Sequence, residues 1–274
     1  MGKFFSKALL TLILAPIVLS LVLVAALRWV PPPTTSFMLQ SPVKPVQYRW
    51  VPGDQIAPVG RKAVVASEDQ LFWQHHGFDV EAMQKALEHN KTHRKIRGGS
   101  TISQQTAKNL FLWQGGGYVR KAIEAYLTVL IEEMWPKQRI LEMYLNIAEF
   151  GPGVYGIEAA SRKYLGKPAS QLTPADAARL VAVLPSPRHW HAAAPGPYVQ
   201  SRAAWILSQI GYGSPSVSEE EPEPGELAPE TEDIAPTSQP PAEEAPTESP
   251  PDETPAEQAP SPPTSEEPSS APSP

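Results

Sequence analysis

The sequence predicts a mainly α-helical protein, and three observations carry that prediction. A charge-free apolar run near the N-terminus is long enough to form a complete helix on its own. Between residues 79 and 210, successive segments place apolar residues at helical spacing, open on capping residues and close on Gly or Pro. No alternation of short β-branched runs with helices marks a βαβ arrangement, and no internal repeat is present.

The first element is the apolar run. Ala8 to Leu27 reads ALLTLILAPIVLSLVLVAAL, twenty residues without a charge. At about 1.5 Å per residue this spans about 30 Å, the hydrocarbon thickness of a bilayer. Lys3 and Lys7 precede it and favour a cytoplasmic N-terminus, an asymmetry that Arg28 at the far end weakens. Pro16 is tolerable in a spanning helix. The run is too long for the apolar core of a signal peptide, and Ala25-Ala26-Leu27 is a poor cleavage site. The expectation is a cytoplasmic N-terminus over 1–7 and a transmembrane helix over 8–30. A linker over 31–45, extended through Pro31-Pro32-Pro33, leads to a folded domain over 46–212 on the far side of the membrane.

Within that domain a short extended piece is expected at Val46–Val51. Asp79 caps a helix over Val80–Asn90. Thr101 and Gln104 stand at capping-box spacing and open a helix to Phe111. A helix over Tyr118–Met134 follows, then one that starts at Pro136 and runs through Phe150 to Gly151. Gly156–Leu165 is closed by Gly166. Thr173-Pro174 opens a helix to Leu184, and Tyr198–Ile210 is the last. On the Tyr118–Met134 helix, Val119, Ala122, Ile123, Tyr126, Leu130 and Met134 read as the core face, with Glu133 interrupting them.

Charge divides the chain. Of 29 acidic residues, 16 lie between Ser214 and Pro274, together with 17 of the 33 prolines, while all 23 Lys and Arg precede Ser214. Residues 1–213 therefore carry a net charge of +10, which suits anionic partners: nucleic acid, phosphates or an anionic membrane surface. The segment 213–274 is an acidic Pro-rich tail with too little apolar surface to fold. It reads as a solvated spacer, or as a polyproline ligand through stretches such as Pro260–Pro263. The absence of Cys excludes disulfides, thiolate metal sites and a cysteine nucleophile.

Three segments could carry chemistry. Glu68-Asp69 follows the apolar Ala63-Val-Val-Ala66 and precedes an aromatic, His-rich turn with Phe72, His75 and His76. A carboxylate in apolar surroundings suits general acid or base work, although a helix cap or a pair with Arg61 or Lys62 explains the residues equally. Arg97-Gly98-Gly99-Ser100-Thr101 leads into a helix N-terminus with Lys108 two turns on, a cradle for an anion or an ordinary capped turn. Arg120, Lys121 and Glu124 share one helix face, where they bind a diphosphate or form a solvated ion pair. The basic stretch His89–Arg97 could touch phosphate or anionic lipid. His75 and His76 have no partner at metal-ligand spacing.

Taken in order, these segments resemble glycosyltransferase family 51, the peptidoglycan glycosyltransferases, of the monofunctional biosynthetic type. The resemblance rests on Glu68-Asp69-x-x-Phe72-x-x-His75-x-Gly77-x-Asp79 and on Arg97-Gly-Gly-Ser-Thr-Ile-Ser-Gln-Gln-Thr-Ala-Lys108-Asn109. It continues through Arg120-Lys121-x-x-Glu124, Lys137-x-x-Ile140-Leu-Glu142-x-Tyr-Leu-Asn146, Phe150-Gly-x-Gly153-x-x-Gly156-Ile-Glu158 and Ala182-Val-Leu-Pro185-Ser-Pro187. It covers Val64 to about Ile210.

The resemblance implies a lysozyme-like fold with a smaller membrane-proximal lobe, in a single-pass protein of the bacterial inner membrane with a periplasmic catalytic domain. The implied reaction polymerises lipid II into glycan strands. The chain carried on undecaprenyl diphosphate is the donor, and the 4-hydroxyl of incoming lipid II attacks it. Glu68 would be the general base. Glu124 would position the donor or its diphosphate, directly or through a divalent metal such as magnesium or manganese. Lys108, Arg120 and Lys121 would neutralise the leaving group. Asp69, His75, Arg97, Ser100, Thr101, Gln104, Gln105 and Asn109 would contribute to substrate binding. Beyond that optional metal no cofactor is implied, nor is nucleic acid. The resemblance stops before the tail, so crosslinking would fall to partners such as penicillin-binding transpeptidases and division proteins.

The chain departs from the family at Gly116, where members commonly carry an Arg four residues before the Arg-Lys pair. Two other readings compete: a lysozyme-like glycan-cleaving enzyme with Glu68 as acid, and a membrane-tethered wall-synthesis scaffold with a site weakened at Gly116. On the weakened-site reading, an Arg at position 116 would raise activity.

Overall fold

Apolar faces in helical register need a partner surface, and in the computed structural model they find it around one buried helix. The structure describes residues 2–92, 99–212 and 221–222. In chain order these hold α1 (Gly2–Leu27), α2 (Ser36–Leu39), β1 (Gln47–Tyr48), α3 (Pro58–Glu68), α4 (Val80–Thr92), α5 (Ile102–Phe111), α6 (Tyr118–Met134) and α7 (Lys137–Ile147). They continue with β2 (Glu149–Gly151), β3 (Val154–Tyr155), α8 (Ile157–Leu165), α9 (Pro174–Val181) and α10 (Pro197–Gln209). The mainly α prediction matches this order.

Helix α7 is the centre. Ile140, Leu141, Met143, Tyr144, Leu145 and Ile147 are all buried. Burying side chains of this size contributes roughly 1.5–3 kcal/mol each before chain entropy is counted. Helix α5 packs across both α6 and α7, while α3 packs on α9 and α10. Two polar side chains lock α7 to the segment after β1. The amide of Asn146 accepts from the Val51 N–H and donates to the Val51 carbonyl, each at 2.9 Å, and Glu142 accepts from the Gly53 N–H at 2.8 Å. The prominence of Glu142 and Asn146 in the sequence pattern is thus architectural.

Four expectations need correction. Helix α3 was not anticipated: Pro58 starts it, and Gly60, Ala63 and Val64 form a buried stripe too narrow to stand out among flanking polar residues. Helix α7 ends at Ile147, not Phe150, because residues 149–155 form a hairpin whose turn uses Gly153 at φ +68°. Strand β1 joins it parallel to β3, giving the order β1-β3-β2. Helix α9 stops at Val181, three residues short of the predicted end.

The fourth correction matters most. On α6 the buried residues are Glu124, Leu127, Thr128 and Ile131, whereas Val119, Tyr126 and Val129 are exposed. Of the face read as core, Val119, Ala122, Ile123 and Tyr126 lie outward and only Leu130 and Met134 pack, partly buried, against the core, while the charged trio faces inward.

Helix α1 covers Gly2–Leu27 where a helix over 8–30 was expected, and its last turn enters the protein core at Val24, which is fully buried. The Trp135 indole donates to the Val24 carbonyl at 2.7 Å, and Arg139 donates to the Leu27 carbonyl at 2.8 Å. Among the described residues, no helix is long and apolar enough to cross a membrane. The tail expectation over 213–274 lies outside the described residues except for Glu221 and Pro222, and the stretch 93–98, with Arg97, lies outside them entirely.

Candidate functional site

Glu68 is the last residue of α3, and its side chain is 11% exposed. Its Oε2 accepts from the Gln105 amide at 3.1 Å, and the Tyr144 hydroxyl in turn donates to Gln105 Oε1 at 3.2 Å. That second bond fixes which way the Gln105 amide faces. The same Gln105 nitrogen also donates to the Ser100 carbonyl at 3.4 Å.

Beneath Glu68 a buried polar scaffold holds the turn. The Gly77 N–H donates to His75 Nδ1 at 3.1 Å, so His75 Nε2 carries the proton and donates to Asp69 Oδ1 at 2.8 Å. Asp69 Oδ2 accepts from the Ile102 N–H at 3.0 Å, at the start of α5, where the helix dipole favours a negative charge. Burial pushes the Asp69 carboxyl above its usual value, against the opposing pull of the His75 and Ile102 hydrogen bonds. Thr101 and Gln104 complete the capping box of α5, and the Thr101 hydroxyl donates to the Gly77 carbonyl at 2.7 Å. Gly77 sits at φ +88°, and a Cβ there would lie 2.9 Å from Thr128. Asp69, His75, Thr101 and Gln104 therefore support the site from below, with their polar atoms turned to one another.

The cationic part lies on α5 and α6. Arg120 donates to Glu124 Oε2 at 2.7 Å, and Lys121 donates to Glu124 Oε1 and to the Ser100 hydroxyl, the latter at 3.2 Å. Glu124 is 2% exposed, Arg120 17% and Lys121 43% by side chain, so the carboxylate is at the bottom and the cations reach upward. Lys108 is largely buried and forms no ion pair among the described residues; its ammonium sits 5.7 Å from the Phe37 ring centroid. Burial lowers its pKa, with Arg120 and Lys121 lowering it further and Glu124 and Glu68 raising it. Asn109, its neighbour on α5, is buried.

These contacts join into one chain: Glu68 to Gln105, Gln105 to Ser100, Ser100 to Lys121, Lys121 to Glu124, Glu124 to Arg120. A carboxylate and a cationic cluster from distant parts of the sequence are thereby brought into one network. As for a metal, both oxygens of Glu124 are already taken by cations. A divalent ion there would compete with Arg120 and Lys121 for the carboxylate, and no group of three His, Asp or Glu side chains is gathered among the described residues.

Two contributors escaped the sequence reading. Arg202 on α10 lies 3.6 Å from Glu68 Oε1, and Tyr144 orients Gln105 from α7. For Arg202 the signal was an Arg within the apolar Tyr198–Ile210 pattern, which names no partner; Tyr144 stands in the Lys137–Asn146 motif, which gave it no role.

A family model described as Transglycosylase matches residues 36–211. The chain is 53% identical over 199 residues to a biosynthetic peptidoglycan transglycosylase of Pseudomonas aeruginosa, covering 70% of this chain and 86% of the relative. It is 51% identical over 220 residues to the protein of the same description in Caulobacter vibrioides, covering 77% and 95%. With that of Aeromonas hydrophila it shares 50% over 206 residues, covering 73% and 88%.

Proposed function

Because the chain belongs to the transglycosylase family, we propose that Glu68 and the Lys108–Arg120–Lys121 cradle are the two halves of its catalytic site. The protein is a peptidoglycan glycosyltransferase that joins lipid II units into glycan strands. The observation that carries the site assignment is the unbroken chain of contacts from Glu68 to Arg120.

Glu68 takes the proton from the 4-hydroxyl of the incoming lipid II. That oxygen bonds to the anomeric carbon of the donor as the bond from this carbon to the diphosphate oxygen breaks. The departing undecaprenyl diphosphate gathers negative charge. Lys121 and Arg120, raised above the Glu124 floor, and Lys108 meet it, and fixed charges placed where charge develops act on the transition state. Glu124 keeps the two α6 cations pointing one way, and the chemistry asks for no metal at its carboxylate. A sugar leaving group that departs uncharged would have no use for this cradle, which disfavours glycan cleavage.

Membrane attachment fits the same reading. Helix α1 serves as the anchor, with its apolar residues from Leu12 to Leu23 largely exposed and its last turn fixed in the domain. The catalytic domain then works at the membrane surface, in the periplasm, where a lipid-borne substrate lies.

The test is polymerisation of lipid II by the purified full chain in detergent. Glu68→Gln should lower the rate by about 10²–10⁴-fold with the fold intact. Polymer formed at the wild-type rate would sink the assignment of the base, and soluble fragments released from intact cell wall would favour a hydrolase.

A further inference from the structure

Among the described residues, the cation that pairs with Glu68 comes from neither of the segments that carry the cradle. Arg202 projects from α10, with a side chain that is 4% exposed. Its Nη2 donates to the Ser67 hydroxyl at 2.9 Å and stands 3.6 Å from Glu68 Oε1. The Ser67 hydroxyl is itself 3.4 Å from that same Glu68 oxygen. The carboxylate is thus gripped on both oxygens: a neutral amide from α5 on Oε2 and a cation, with its attendant hydroxyl, on Oε1. The other end of the guanidinium pairs with Glu221, Nε has no hydrogen-bond partner among the described residues, and the Trp205 ring lies 6.0 Å from its centre.

A buried guanidinium is costly unless its charge is matched. Glu68 supplies part of that match, and the attraction draws the carboxylate toward the guanidinium. At 3.6 Å the pair is looser than a direct hydrogen bond. It holds the charge without occupying the lone pair that must receive a proton. Ser67 takes the short contact instead.

The geometry points to Arg202 as a positioning residue, one that holds the Glu68 carboxylate in the rotamer that faces the acceptor hydroxyl, while touching no substrate itself. This rests on the reading of Glu68 as the base. A residue with this role changes turnover and leaves substrate affinity alone.

The experiment uses the full chain in detergent with lipid II. Arg202→Met keeps much of the volume and removes the charge. It should lower kcat roughly 10- to 100-fold, the scale of a misplaced catalytic group, with KM within about twofold. Arg202→Lys, which restores a cation, should recover part of the loss. The double variant Glu68→Gln, Arg202→Met should be no slower than Glu68→Gln alone, because Arg202 acts through the carboxylate. Thermal unfolding of each variant separates loss of turnover from loss of fold. Should Arg202→Met destabilise the protein, Arg202→Lys at equal Tm becomes the deciding comparison. Wild-type kcat in a folded variant without the guanidinium overturns the inference, as does a double variant slower than Glu68→Gln. If Glu68→Gln itself turns over normally, the assignment of the base has failed instead.

Discussion

Lys108 is the residue at which environment and function meet most directly. Burial, reinforced by Arg120 and Lys121, lowers its pKa, so the free protein holds this ammonium at a disadvantage. An arriving diphosphate supplies the missing counter-charge and favours the protonated form. The sign follows: binding is strongest where Lys108 is already charged and weakens as pH rises through its lowered value. Titration calorimetry with inorganic diphosphate, run from neutral to alkaline pH, should show affinity falling over that range. Lys108→Arg should flatten the fall, since a guanidinium stays charged. Gly116 is the second residue with a definite consequence. It stands at φ +101°, and a Cβ there would lie 2.9 Å from Trp113 Nε1 and 3.1 Å from Arg120 Cβ and Cδ. An Arg at this position is strained by roughly 1–3 kcal/mol and presses on the side chain that pairs with Glu124. Gly116→Arg is therefore expected to lower kcat/KM severalfold, contrary to the gain that the family pattern suggests. A rate above wild type on lipid II would show that the glycine loop rearranges to accept it.

Among the elements, α5 shows how far a local signal carries. Its capping box is visible as Thr101 and Gln104 three residues apart, and it forms as read. What the spacing does not reveal is that the Thr101 hydroxyl also donates to the Gly77 carbonyl and so ties the helix start to the turn after Glu68. Thr101→Ala loses the cap and strands a buried carbonyl, for a cost of about 2 kcal/mol. Thermal unfolding should register that loss, and turnover should fall with it as the Glu68 turn loosens; an unchanged Tm would refute the coupling. Helix α6 is the opposite case. Its boundaries were legible to the residue, because Gly117 and Pro136 flank it. Its orientation was not, because an apolar stripe reports only that something apolar covers it. Inside the fold the polar stripe with Glu124 turned inward instead, since two neighbouring cations make its burial tolerable. Helix α3 and the hairpin of β2 and β3 were missed for a related reason. Both are short and are stabilised by contacts from α9, α10 and β1, which no local pattern announces. Glu68 and the cradle residues were legible through their joint spacing, while Arg202 and Tyr144 reach the site through tertiary packing alone.

At the scale of the whole molecule, the outward apolar face of α6 finds its reason beside α1. The two helices pack together, and the Ser20 and Tyr126 hydroxyls meet at 3.0 Å. Val119 and Val129 continue that surface at 72% and 47% exposure. A soluble protein would gain by covering such residues; one whose first helix enters a bilayer has lipid available to cover them. Because Trp135 and Arg139 clamp the end of α1 to the domain, the orientation of α6 to α1 is set by hydrogen bonds and packing, not by a loose linker. With α1 as the proposed anchor, the site on the inner face of α6 would be held at a fixed height above the headgroups, where the diphosphate of a lipid-linked sugar would lie. Charging this surface should therefore separate two assays. Val119→Asp with Val129→Asp should leave polymerisation in detergent micelles within about twofold of wild type, because micelles adapt to the protein. With lipid II embedded in vesicles the rate should drop by about tenfold, as each carboxylate resists immersion and tilts the domain away. Equal losses in both media would mean that the substitutions damage the fold. Full activity in vesicles would mean that α6 stands clear of the bilayer and that α1 alone holds the enzyme to its substrate.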